Sequence, residues 1–349
     1  MSQIPAYRWQ PSTEEFARRA GIASSSVIRF DHNTSPSAPP WIGEEAATMA
    51  ALSNEYPAAD YMPLRAAAAA AHGVEPDWVV PGAGIDELLL IAARALLPPG
   101  GVAVADTPAY PMYRIATAQA GGRFEEVPRP PALCFPADDL ETMAAKADLV
   151  WLCIPHNPTG QRPDDVDIDR VVDAAGGFTV IDAAYAEVAG DSWVARLEAN
   201  PRLVVLHTLS KAHGMAGIRV GYALCHPEVA LLIHAMRPPG SVSRVSQALA
   251  ARSLTDTNWM EANALALRTA RNDLSAALGN RWKPLPSATN FVLFEVGVSA
   301  AETALRLERR GLIVRSYASP PLAGHLRITA RSADEQQRLV EAIAAVADD

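Results

Sequence analysis

Lys211 stands in the run Thr208-Leu209-Ser210-Lys211-Ala212-His213-Gly214-Met215-Ala216-Gly217-Ile218-Arg219. An isolated lysine is ordinarily a solvated surface charge. The surroundings here are wrong for a surface. Leu203-Val204-Val205-Leu206, just before it, is wholly apolar, and Gly214 and Gly217 point to close approach of backbone. A lysine amine withdrawn from water gives up its proton more readily, which suits it to form an imine with an aldehyde. The hydroxyls of Thr208 and Ser210, with Arg219 eight residues beyond the lysine, suit a phosphate held beside that amine.

Further candidates lie along the same stretch. Gly82-Ala83-Gly84-Ile85-Asp86-Glu87 falls between a strand and a helix. It lacks the third glycine of a dinucleotide fingerprint, so it reads poorly as an NAD site. It does offer free N–H groups at a helix N-terminus, suited to a phosphate; as a plain turn, Asp86 would be an acid of the first helical turn. His156-Asn157-Pro158-Thr159-Gly160 follows another apolar run and contains turn-forming pairs. Asp182 ends Thr179-Val180-Ile181, with Tyr185 three residues later; such a carboxylate either caps the next helix or does chemistry. Tyr110, in Thr107-Pro108-Ala109-Tyr110-Pro111-Met112-Tyr113, reads on its own as a core residue. Arg327 interrupts the apolar run Leu326–Thr329, where an unpaired charge is costly and a guanidinium fork suits a carboxylate. Arg315 is either a second such contact or a plain surface arginine. The eight histidines show no HExxH or comparable ligand spacing, so no metal site is expected.

These groups need a scaffold. Val102–Ala105, Leu149–Ile154, Thr179–Ile181, Leu203–Leu206 and Val220–Leu224 are short continuous apolar runs separated by helical or loop segments. That pattern predicts a mainly parallel sheet covered on both faces. Asp86–Leu97 predicts a helix stopped by Pro98-Pro99-Gly100-Gly101. Residues 1–35 read as an irregular arm, 36–237 as a large α/β domain and 238–349 as a small α+β domain. In the small domain the pattern predicts a bent helical stretch over 243–278, then strands at Asn290–Val296, Leu312–Tyr317 and Leu326–Thr329. Helices are expected at Ala300–Arg310 and from Asp334.

Composition narrows the classes. A net charge of −9 across 349 residues argues against nucleic acid or an anionic membrane as partner. No run is long and apolar enough to span a bilayer. The three cysteines, Cys134, Cys153 and Cys225, are far apart, without CxxC pairing, and read as buried thiols in a reducing, cytoplasmic compartment; no signal peptide is apparent at the N-terminus.

The segment Ser210–Arg219 resembles the S-K-x-x-G-x-A-G-x-R pattern of class I/II aminotransferases of pyridoxal 5′-phosphate (PLP) fold type I. The likeness runs from about Asn33 to Arg327, with the motifs in the family's order, and is strongest to the histidinol-phosphate aminotransferase group. It implies that Lys211 carries PLP as a Schiff base and later serves as general base. It implies that Asp182 pairs with the pyridine nitrogen, and that Asn157 and Tyr185 bond the phenolic oxygen. Tyr110 would stack on the ring, and Gly84, Ile85 and Asp86 would cradle the phosphate with Thr208, Ser210 and Arg219. Tyr56, in Glu55-Tyr56-Pro57, matches a tyrosine that reaches the partner's phosphate, which implies a homodimer. Arg327 would grip a substrate carboxylate, with Asn33 and Arg315 also on the substrate side. The implied activity is ping-pong transfer of an amino group from an amino acid, or an amine phosphate such as histidinol phosphate, to a 2-oxo acid. Two alternatives stay open: a decarboxylase like the threonine-phosphate decarboxylases, and a non-catalytic binding module on the same fold. Departures fall near the substrate side: Thr34-Ser35 where Glu-Asn is usual, Ala183 for Glu, His213 for an aromatic, and Gly240-Ser241 for Tyr-Asn.

Overall fold

The computed structural model describes residues 5–347. Its strands are β1 (Ile28–Arg29), β2 (Val79–Gly82), β3 (Val102–Thr107), β4 (Arg123–Pro128), β5 (Leu149–Cys153), β6 (Phe178–Asp182), β7 (Leu203–Thr208) and β8 (Gly221–Cys225). After them come β9 (Lys283–Pro284), β10 (Phe291–Glu295), β11 (Leu312–Ile313), β12 (Arg315–Ser316) and β13 (His325–Thr329). The large sheet runs β2-β8-β7-β6-β5-β3-β4. β7, β6, β5, β3 and β4 are parallel, while β8 runs antiparallel to both β2 and β7.

Parallel neighbours cannot be joined by a tight turn, so helices cross between them. Met112–Gln119, Ala137–Ala144 and Asp165–Ala174 link β3 to β4, β4 to β5 and β5 to β6. Side chains alternate between two buried layers. Leu149, Trp151 and Cys153 of β5 enter one cluster, and Val150 and Leu152 enter the other. Burial on both faces is why these strands read as continuous apolar runs instead of alternating ones. The parallel arrangement also brings the carboxyl ends of β3, β5, β6 and β7 to one edge, where open α/β sheets bind ligands.

The N-terminal region departs from the irregular arm expected of it. Thr13–Ala20 is a helix, with Ser12 Oγ accepting from the Glu15 N–H at 3.2 Å and Gly21 closing it at φ 69°. Ser12-Thr13-Glu14-Glu15 has the spacing of a capping box, a signal present in the sequence. β1 then pairs in parallel with β11, and Ile28 and Phe30 join the core of the small sheet, ordered β12-β13-β10-β9. The bent helical stretch is two helices, Arg244–Thr255 and Asn258–Gly279. The first puts Ala250 and Leu254 into the core of the large sheet; the second gives Leu274 and Leu278 to the small one. Among the described residues, no helix is long and apolar enough to cross a membrane.

Candidate active site

One cavity of about 1470 Å³ opens at the carboxyl edge of the large sheet. Lys211 lies half-buried in its wall, on the turn that follows β7. The turn is held by Gly214 at φ +71°, where a Cβ would fall 2.6 Å from the Ser37 carbonyl oxygen. Gly217, also expected at a close approach, has open space where its Cβ would be. Lys211 Nζ donates to the His32 carbonyl at 3.4 Å and sits 5.7 Å from the centre of the Tyr185 ring. Burial, then the nearby Arg327 cation, lowers its pKa to about 8. The amine is thus poised between proton carrier and nucleophile.

Asp182 closes β6 with its carboxylate buried. Oδ2 accepts from the Tyr113 hydroxyl at 2.8 Å and Oδ1 from the Ala184 N–H at 3.2 Å. It does not cap the next helix, Ala186–Ala189, which has no side-chain cap. Burial raises its pKa to about 6 against the pull of those two bonds. Tyr185 is buried beside it, accepting from Asn33 Nδ2 at 2.9 Å, and burial raises its phenol pKa. Asn157 follows β5; its Oδ1 accepts from Arg327 Nη1 at 2.6 Å.

A second corner has the donor set of an anion site. Gly84, at φ +85°, starts helix Ile85–Leu96, whose first-turn N–H groups have no acceptor within the helix. A Cβ on Gly84 would lie 2.7 Å from Arg219 Nη2, so the guanidinium occupies the space a side chain would need. Thr208 Oγ1 donates to Ser210 Oγ at 3.0 Å and accepts from the Ser210 N–H at 3.2 Å. The Asp86 side chain is engaged elsewhere: its carboxylate accepts from Tyr110 at 2.8 Å and from Arg219 Nη2 at 3.1 Å, so what it offers this corner is its backbone N–H in the first turn.

Arg327 forms the opposite wall on β13, across from Leu293 of β10 and Arg315 of β12. Its Nη2 donates to the Asp31 carbonyl at 2.7 Å, and its Nε is buried without a partner. Arg327 lines this cavity, and a guanidinium with a donor still unpaired suits an incoming carboxylate or phosphate. Arg315 lines the same cavity, 5.8 Å from the Tyr317 ring. Asn33, expected to face the substrate, gives its amide to Tyr185 and accepts from Thr329 Oγ1 at 3.1 Å, so it braces the wall. Tyr56 is 92% exposed and lies outside the lining of this cavity.

Three features escaped sequence reasoning. Tyr113 bonds Asp182, although it stands only three residues beyond Tyr110. Tyr7 and Trp9 lie across the mouth, Tyr7 packing edge-on to Tyr110 at 6.3 Å and to Trp9 at 4.9 Å. His32 lines the wall beside Arg29, which grips the buried Asp31 with two bonds of 2.8 Å. Tyr113 and Tyr7 meet Asp182 and Tyr110 only through the fold, so no local pattern marks them.

Known proteins are similar over nearly the whole chain. The chain is 32% identical to a histidinol-phosphate aminotransferase of Roseiflexus castenholzii over 96% of this chain and 93% of the relative. It is 34% identical to histidinol-phosphate aminotransferase 2 of Methylococcus capsulatus, covering 90% and 88%. A crystal structure of histidinol-phosphate aminotransferase from Sinorhizobium meliloti in complex with pyridoxal-5′-phosphate superposes with a TM-score of 0.89 at 26% identity, covering 97% of this chain and 95% of that one. The family model for aminotransferase class I and II matches residues 24–343, and the chain belongs to that family.

Proposed function

We propose that this PLP-dependent aminotransferase moves an amino group from an amino acid, or an amine carrying a phosphate ester, to a 2-oxo acid, with Lys211 as the reacting amine. One observation carries the assignment: a lysine with its pKa lowered to about 8 shares a cavity with a buried carboxylate and a guanidinium bearing an orphaned donor. The residues present fit PLP. The first turn after Gly84, with Ser210 and Arg219, suits its phosphate, and Asp182 is an acceptor suited to a protonated ring nitrogen. When bound, PLP supplies an aldehyde carbon for amines and a ring that draws electrons from the substrate carbon. Lys211 Nζ is the amine placed to bond that aldehyde carbon. The same Nζ would carry the proton of the substrate α-carbon, taking it up and returning it during transfer. Asp182 keeps the ring nitrogen protonated. Asn157 and Tyr185 donate to the phenolic oxygen, Tyr110 covers the ring, and Arg327 holds the substrate's anionic group, with Arg315 as its neighbour.

Tyr56 belongs to the same proposal as a contact to the partner's phosphate in a homodimer, supported by its exposure outside its own cavity. Cys153 and Cys225 are buried as expected, whereas Cys134 is exposed, and the three free thiols support a cytoplasmic protein. The test is a panel of amino acids and histidinol phosphate offered with 2-oxo acid acceptors. Oxo product should form from the donor in step with amination of the acceptor. Release of carbon dioxide without amination of any acceptor would overturn transamination in favour of decarboxylation.

A further inference from the structure

Asp182 is not held by its own strand alone. Tyr113 Oη donates to Asp182 Oδ2 at 2.8 Å, and both side chains are buried. Tyr113 sits in the first turn of helix Met112–Gln119, its ring stacked on Trp151 of β5 at 5.8 Å and 11°. Trp151 is tied back to that helix by a bond from Nε1 to Thr117 Oγ1 at 3.1 Å. The phenol is therefore clamped between helix and sheet, with its hydroxyl aimed at the carboxylate. Burial pushes its own ionisation far up, so it remains a donor across the working pH range.

We propose that Tyr113 is a positioning residue for the reaction, its hydroxyl fixing Asp182 in orientation and keeping it ionised toward the cofactor's ring nitrogen. The proposal rests on assigning Asp182 to that nitrogen. Lys211, Asp86, Tyr110, Tyr185 and Cys153 also face the carboxylate electrostatically, Lys211 favouring its charge and Asp86 opposing it. Tyr113 is the side chain that bonds it directly, and among the influences that favour the charged form it ranks first. Removing the hydroxyl leaves burial less opposed, so the folded-state pKa of Asp182 rises above about 6.

A carboxyl that must be ionised to hold a protonated nitrogen makes cofactor affinity fall on its acid side. The experiment measures the equilibrium PLP dissociation constant of the apoprotein from pH 5 to 9, with steady-state kinetics alongside. In the unaltered protein affinity should weaken below about pH 6. Tyr113→Phe should move that limb upward by about one unit, lower kcat by about tenfold and leave KM for the amino donor within about twofold. Trp151→Phe disturbs the stack but keeps the hydroxyl, and should leave the limb in place. If Tyr113→Phe proves too unstable, Tyr113→Met and Tyr113→His make the same contrast without and with a donor. An unmoved limb in the variants lacking the donor, or an equal shift in Trp151→Phe, overturns the role of Tyr113. The assignment of Asp182 is tested separately. Asp182→Asn should abolish the limb, and if the limb persists there, that assignment fails instead.

Discussion

Asp182, Thr208 and Ser210 stand at or just beyond strand ends with their side-chain oxygens already bonded, whereas Arg327 and Arg315 line the opposite wall half-exposed, and Arg327 keeps a buried donor with no partner. The first group comes from one sheet whose strands are buried on both faces. The second comes from β12 and β13, from the segment around His32, and from the N-terminal stretch bearing Tyr7 and Trp9. A cofactor that stays through every turnover rewards a rigid, satisfied pocket, because nothing there must reorganise during the reaction. A substrate that comes and goes needs donors left open until it arrives. Lys211 lies between the two walls and answers to both: Asp182 favours its charged form and Arg327 the neutral one.

Lys211→Ala removes that meeting point and should have the largest effect. Turnover should fall by roughly 10⁴-fold or more. The visible absorbance of the bound cofactor should vanish while the thermal melt stays near that of the unaltered protein. Asp182→Asn strikes the satisfied half. With PLP at saturation, kcat should drop roughly 10³-fold, because an amide no longer favours the ring proton. The two arginines then test whether the halves are separable. Arg327→Ala should lower kcat/KM by about 10²-fold with PLP affinity unchanged. Arg219→Ala should weaken PLP retention, with partial rescue by excess cofactor. Steady-state kinetics and cofactor titrations on both variants decide it, and loss of PLP from Arg327→Ala with intact substrate affinity would break the division. The smallest effect concerns Lys211 itself. Reductive labelling of the apoprotein by an aldehyde should be half-maximal near pH 8, since the amine is charged below that value and reactive above it. In Arg327→Ala the midpoint should shift upward, because a neighbouring cation that disfavours the charged amine is gone.

Much of the parallel sheet is legible in the sequence because two-sided burial writes itself as short apolar runs. β3, β5, β6, β7 and β8 fall within a few residues of the runs that predict them. Lys211 is legible from its small-residue turn after an apolar run, Asp182 from its place at a strand's end, and Arg327 as a charge inside an apolar run, while Asn157 and Tyr185 stand out through the family resemblance. The structure brings all of them to one cavity. What escaped was relational. Asn33 read as a substrate contact because a motif gives a residue's neighbourhood but not the direction of its amide, which goes to Tyr185 and Thr329. Asp86 reads as part of a phosphate cradle through its backbone, and the sequence does not show that its side chain pairs with Arg219 and Tyr110. Tyr113 carries no role in the sequence reading, and its hydroxyl finds Asp182 across 69 residues of chain.

The pairing of β1 with β11 also sets a timetable. Every strand of the large sheet lies between Val79 and Cys225, so its strand pairings need no chain beyond that point, and Ala250 and Leu254 are added to its core afterwards. Residues 28–30 must wait: Ile28 bonds to Gly311, Phe30 to Ile313, and Thr329 back to Phe30, each at 2.8 Å. Such distant closures come late because a long loop must be fixed before they return anything. Asp31 and Asn33 travel with that segment, and with them the braces on Arg327 and Tyr185. The wall bearing Arg327 is therefore closed by a contact across 296 residues of chain, whereas the strands that lead to Asp182 and Ser210 pair with no partner beyond Cys225.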